Sequence, residues 1–303
     1  MAKAPGIFPK EALAWLKSKK LTPGFDYRDV WKQEHSIGFT VAKMTQLDLL
    51  SDVKALVEDA MASGQSFAEF REVLKPLLVK RGWWGQQMMD DPLTGETRPV
   101  QLGSDRRLRT IYDTNMRTAR SAGQWDRIQR TRRAMPYLLY TLGPSREHRA
   151  EHLRWADLCL PVDDPFWQTH IGPNGWGCKC GVRQVSKYEY DQLQQNGVPR
   201  NVQQLDDSGQ PTGHIIRQTV PVRTEAPPVR RVKWVNKRTG EEEMVPEGID
   251  PGWDYNPGMR RQAELERQLA AKQSAFDSDN ETRRYSASNA LRDFTGICGT
   301  MIL

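Results

Sequence analysis

Hydrophobic residues recur at helical spacing through the first part of the chain. Leu47, Leu50, Val53, Leu56, Val57, Ala60 and Met61 fall on one face of a 3.6-residue period, which predicts an amphipathic helix. Gly64 stops it, and Ser66 is placed to cap a second helix with the stripe Phe67, Phe70, Leu74, Leu77 and Leu78. Pro76 stands late in that stripe and should end or kink it, having no N–H to donate and a ring that crowds the preceding turn. From Trp84 to Ser104 the pattern lapses into polar chain around Asp90-Asp91-Pro92-Leu93-Thr94-Gly95, which reads as an excursion or linker.

A long helix opens after Ser104, a capping residue. Leu108, Ile111, Tyr112, Asn115, Ala119 and Ala122 mark its inner face, and Arg106, Arg109, Arg117, Arg120 and Arg127 lie on the other side. Pro136 breaks the pattern, and 137–141 reads as a short buried strand. Gly143-Pro144-Ser145 leads into a short helix over 146–155, followed by a loop rich in Pro, Asp, Gly and Trp and a closing strand over 182–185. Polar chain runs from Gln194 to Thr212. A β-hairpin is predicted from 229–235 and 241–245 around Asn236-Lys237-Arg238-Thr239-Gly240. A charged helix over about 259–272 and a polar tail beyond Ser274, able to stay disordered until it meets a partner, complete the chain. The expected fold is α+β in three regions: a helical N-terminal region (1–103), a small mixed α+β central domain (104–190), and a C-terminal extension (191–303) with hairpin, helix and tail.

Composition narrows the class. A 303-residue chain with 38% hydrophobic and 27% charged residues suits a soluble, rather polar protein with a core large enough to fold alone. No run approaches the ~20 apolar residues a membrane span needs. The first residues form no apolar signal segment, so a cytosolic site of synthesis is expected. The net charge of +6 favours anionic partners, nucleic acid or acidic protein alike. Four cysteines, Cys159, Cys178, Cys180 and Cys298, are too few for a disulfide scaffold.

Reactive side chains concentrate between His148 and Cys180. His148-Arg149-Ala150-Glu151-His152 sets two imidazoles at i and i+4 and matches the H-x-x-E-H arrangement of a zinc-dependent hydrolase, with Glu151 as base. Its plain alternative is a solvated helix with one buried histidine. Cys178 and Cys180 could offer two thiolates to a tetrahedral structural zinc, with His152, His170 or Cys159 completing it; otherwise they are small thiols packed as hydrophobes. Trp155, Phe166, Trp167 and Trp176 read as core, and Asp163-Asp164 as a turn with a helix-capping Asp. The arginine side of the long helix suits phosphates, an acidic protein or plain solvent. No nucleotide-binding or acyl-transfer motif is present, so no small-molecule substrate is implied.

Three stretches together resemble the phage Mu F-like minor head proteins: 111–120; Arg146 to His152 with Asp163-Asp164-Pro165-Phe166-Trp167; and Gly172-Pro173-Asn174-Gly175-Trp176-Gly177-Cys178-Lys179-Cys180. On this resemblance Arg149, His152, Trp176, Cys178 and Cys180 are the motif positions, with Lys179 where many members have Arg. Gly82-Trp83-Trp84-Gly85 and the 248–258 segment are similar too, so the likeness spans about 35–260. It implies a low-copy structural component of the virion near the portal vertex, assembled in the host cytoplasm, without enzymatic activity or an established cofactor. The implied partners are the portal protein and other capsid or scaffold proteins, with packaged DNA close to the arginines.

Overall fold

The computed structural model describes residues 9–145, 147–206, 208, 210–259, 270, 273, 274 and 276. The chain divides into two compact units, Met1–Arg260 and Arg261–Leu303. Apart from those four isolated positions, the helix expected over 259–272 and the polar tail lie outside the described residues beyond Met259.

The first unit runs α1 (Lys10–Lys17), β1 (Lys20–Leu21), β2 (Gly38–Phe39), α2 (Leu47–Ser63), α3 (Phe67–Lys80), β3 (Gln86–Asp90), β4 (Thr97–Gln101) and α4 (Asp105–Thr131). It continues with β5 (Tyr137–Thr141), α5 (Ala150–Trp155), β6 (Cys159–Pro161), β7 (Gly181–Val185), α6 (Lys187–Asn196), β8 (Val198–Leu205), β9 (Pro211–Val220), β10 (Arg231–Val235) and β11 (Glu242–Pro246). Helices and several small sheets make the class α+β.

The helical signals translate directly. In α2, Leu49, Leu50, Val53, Val57, Ala60 and Met61 are buried, and Gly64 ends the helix at φ 67°, a left-handed conformation that costs glycine little. Ser66 and Glu69 form a capping box that starts α3. Contrary to expectation, α3 runs through Pro76 to Lys80. Pro76 is exposed, while Phe70 and Leu74 before it and Leu78 after it are buried. That shared burial outweighs one missing hydrogen bond.

Helix α4, capped by Ser104 and about 40 Å long at 1.5 Å per residue, is common to two cores. Its first half contributes Leu108, Ile111, Met116, Ala119 and Ala122 to a core shared with α1, α2 and α3. Its end contributes Trp125 and Ile128 to a second core with Leu138, Tyr140, Trp155, Phe166 and Trp167. The sheet of this second part has the order β6-β5-β7, antiparallel throughout. Strand alternation divides it. Leu138 and Tyr140 face the second core, whereas Leu139 faces a third cluster with Cys159, Val185, Leu193 and Val198.

Three local expectations are corrected. The stretch read as an excursion or linker is an ordered hairpin: Gln86 pairs with Gln101 and Asp90 with Thr97. Its strands are polar because both faces are largely exposed, so no alternation marks them. The turn is held by Asp91, a buried carboxylate that accepts from the Leu93 backbone N–H at 3.0 Å and pairs with Arg238. The polar chain expected from Gln194 to Thr212 is likewise structured. Ser186 caps α6, and β8 pairs with β9 from Val198–Val220 onward. Finally, the helix expected over 146–155 begins only at Ala150, with Arg149 as N-cap in extended conformation.

The hairpin β10–β11 forms as predicted, Val235 opposite Glu242. From it the chain turns back across both cores. Arg238 meets Asp29, and Lys32 meets Asp254 at 2.9 Å. Ile249 enters the second core, and Asn256 donates to the Trp167 carbonyl at 3.1 Å.

Candidate functional site

Segments distant in the sequence converge around His152. Helix α5 carries it, buried, one turn before Trp155, on whose ring it stacks at 4.9 Å. The loop 172–181 brings Cys178 and Cys180, and the segment after β11 brings Gly248 and Asp250. His152 Nε2 lies 2.9 Å from the Gly248 carbonyl oxygen. That oxygen only accepts, so Nε2 carries a proton, and in the neutral ring Nδ1 presents its lone pair. Nδ1 stands 3.6 Å from Cys180 Sγ and 3.9 Å from Cys178 Sγ. One ligand atom from each of the three residues lies within 4.8 Å of the others.

Gly248 explains why this approach needs a glycine. Its φ is +88°, and a Cβ there would stand 2.4 Å from Glu151 Cβ and 2.9 Å from the Trp155 ring. Beside it, Arg149 grips Asp250 with both guanidinium nitrogens, at 2.8 and 3.0 Å. Burial works most strongly against the charge of Arg149, but the hydrogen bond and the charge of Asp250 with the nearby sulfurs together outweigh it and raise the pKa. Asp250 also accepts the Trp176 backbone N–H at 2.8 Å, and its own N–H donates to the Asn174 carbonyl at 3.0 Å. A carboxylate two segments away thus fixes the cysteine loop.

Against burial, the backbones of Asn174 and Cys180 favour the Cys178 thiolate, and the Gly143 backbone and the Tyr140 hydroxyl favour that of Cys180. Mutual hydrogen bonding makes Cys180 the thiolate-favoured member and raises Cys178. Burial first, then the neighbouring sulfurs, hold the Tyr140 hydroxyl well above its usual pKa. Asn174 donates to that hydroxyl at 2.8 Å, and its own Oδ1 is buried without a partner.

Among the described residues, the structure selects His152 from the expected third partners of the cysteine pair. His170 is stacked on Phe166 at 4.0 Å, with burial holding its pKa down to about 4. Cys159 belongs to the third cluster, its pKa pushed up to about 12 by burial. The paired-histidine expectation is corrected. His148 precedes α5, so it shares no helical face with His152, and neither it nor Glu151 belongs to the cluster.

Of the aromatic residues expected in the core, Trp155, Phe166 and Trp167 are buried, but Trp176 is 44% exposed. It meets Trp253 and Tyr27 edge-on. Asp164 caps the short 3-10 helix Pro165–Gln168, as expected. The arginines of α4 differ in their surroundings. Arg117 pairs with Asp113, Arg127 with Glu11, and Arg109 lies 4.0 Å over the Phe67 ring. Arg120 is exposed. Arg106 is exposed too and lines a 420 Å³ cavity with Trp176, Trp253 and Tyr27. Sequence reasoning assigned no role to Asn174, Tyr140, Gly248 or Asp250 in this site. For Asn174, Gly248 and Asp250 the signal was the similarity of 172–180 and 248–258 to family segments, and Tyr140 was marked only as part of a buried strand.

Residues 51–183 match the family model described as Phage Mu protein F like protein. A protein of Escherichia phage Mu named as capsid assembly protein F is 34% identical over 263 residues, covering 85% of this chain and 56% of the relative. The Mu-like prophage FluMu F protein of Haemophilus influenzae is 32% identical over 229 residues, 74% of this chain and 50% of the relative. The chain thus spans about half the length of these curated relatives. No solved structure matches it significantly.

Proposed function

The chain is a Mu F-like protein, and from that premise we propose that it is a structural component in the assembly of a bacteriophage head. The observation that carries this reading is the 34% identity over 263 residues to a protein named for capsid assembly. The geometry supports it: Arg149, His152, Cys178 and Cys180 tie α5, the cysteine loop and the 248–250 segment together, a use that stabilises a shape.

The finer reading sets the protein at the portal vertex of the virion, against the portal protein and other capsid or scaffold proteins, with packaged DNA near by. Net charge of +6 favours those anionic surroundings. The contact face comprises Arg106, Arg109, Arg117, Arg120 and Arg127. At Arg106 it meets the exposed Trp176 in one cavity, and Arg and Trp are residues that anchor protein interfaces.

The test is complementation of a phage lacking the gene. Wild-type protein should restore infectious particles and be detected in purified heads or their precursors. Arg106→Glu with Arg109→Glu should fold, since exposed charges contribute little to stability, yet enter heads several-fold less, with wild-type docking weakening as salt rises. Normal incorporation of the double variant removes the arginine face from the reading, and absence of the wild-type protein from every assembly stage overturns the whole. Glu151→Gln should leave particle yield intact. A folded Glu151→Gln protein that yields no particles would favour a hydrolase instead.

A further inference from the structure

We propose that His152, Cys178 and Cys180 hold one zinc ion, which locks α5 to the cysteine loop beneath the 248–250 segment. A tetrahedral zinc with Zn–S of about 2.3 Å and Zn–N of about 2.0–2.1 Å sets sulfur and nitrogen about 3.6 Å apart. The two sulfur-to-Nδ1 distances are 3.6 and 3.9 Å. Both match that separation to within a few tenths of an ångström, and all three ligand atoms lie within 4.8 Å of one another.

The surroundings are those a metal site requires. The carbonyl of Gly248 receives the far ring nitrogen of His152, which orients the imidazole and leaves Nδ1 free to ligate.

One further atom fits. Asn174 is fully buried and its Oδ1 has no hydrogen-bond partner, although its amide nitrogen is tied to Tyr140 beside Cys180. A buried acceptor without a donor is costly. A tetrahedral zinc held by three protein ligands takes a water in its fourth position. Among the described residues, no fourth His, Cys, Asp or Glu joins the cluster, which leaves that position to solvent.

The experiment uses the full, untagged chain purified without chelator. Elemental analysis should find about one zinc per chain. Exchange with cobalt should give the intense visible bands of a tetrahedral ion and a thiolate charge-transfer band. Removal of zinc by chelator should lower the melting temperature, and added zinc should restore it. His152→Ala, Cys178→Ser and Cys180→Ser should each weaken cobalt binding more than about 100-fold, since loss of an outer partner alone costs about 10–100-fold. Cys159→Ser should keep the metal at full stoichiometry. Should a ligand variant fail to fold, the wild-type cobalt spectrum still decides. Metal-free protein that takes up neither zinc nor cobalt overturns the proposal, as does a chain lighter by two hydrogens with Cys178 and Cys180 joined in a disulfide.

Discussion

Replacing Asp250 with Asn tests the contact by which the 248–250 segment holds the cysteine loop. The carboxylate accepts Arg149 Nη1 at 2.8 Å, Arg149 Nη2 at 3.0 Å and the Trp176 N–H at 2.8 Å. Asparagine keeps the shape but turns one oxygen into a donor. Oδ2 serves two partners and Oδ1 one, so the amide nitrogen should settle at the Oδ1 position, facing Arg149 Nη1. One charge-assisted bond is then lost, about 1.5–3 kcal/mol when fully shielded. The side chains of Arg149 and Asp250 are 37% and 27% exposed, so water replaces part of that loss and about 1–2 kcal/mol remains. At about 2–4 °C per kcal/mol for a unit of this size, the melting temperature should fall about 2–8 °C. Urea denaturation should report the same loss through the midpoint, with an unchanged slope. A double-mutant cycle with Arg149→Met isolates the pair and should give a coupling above about 0.5 kcal/mol. If the two substitutions simply add, or if Asp250→Asn matches wild type, the clasp contributes nothing to stability and the reasoning fails.

Three further outcomes follow from packing and charge. Gly123→Ala should destabilise by about 1–3 kcal/mol in urea although helix propensity alone predicts a gain of about 1 kcal/mol, because the new Cβ would meet Ala12 N at 2.6 Å and Cα at 2.9 Å; a stabilised variant would show that α1 can move aside. Pro76→Ala should raise stability by about 1–3 kcal/mol by restoring an N–H inside α3, and a loss would show that the proline is favoured by its surroundings. Glu11 has its pKa lowered from 4.5 to about 2, first by a backbone hydrogen bond and then by Arg130. A depressed folded pKa contributes stability above pH 4.5 that is lost as pH falls toward 2; Glu11→Gln should flatten acid unfolding over that window, and an unaltered acid profile would count against it.

Local chemistry alone determined much of the helical half. Stripes such as Leu50, Val53, Val57 and Met61, with Ser66 and Ser104 as caps and Gly64 as a stop, state where a helix lies and which face is buried. The hairpins β3–β4 and β8–β9 escaped notice because periodicity records burial on one face, and most of the described side chains on these strands are exposed. Pro76 misled for the opposite reason: a strong local rule was overridden by Leu74 and Leu78, whose burial no single-residue propensity contains.

At the site, the sequence offered His152, Cys178 and Cys180 among other candidates, and only the tertiary structure chose between them. Cys159 lies on β6, on the side of the sheet that joins Leu139, Val185 and Leu193. His170 is spent in stacking on Phe166 against Trp155. His152 reaches the cysteines because Gly248, 96 residues further along, accepts its other nitrogen. Asp250, 101 residues from Arg149, anchors the loop that carries them. A contact of that separation leaves no period, cap or turn in the sequence. Its partners are adjacent only after α4 and the sheet have packed, since hydrogen bonding acts over a few ångströms whatever the length of chain between.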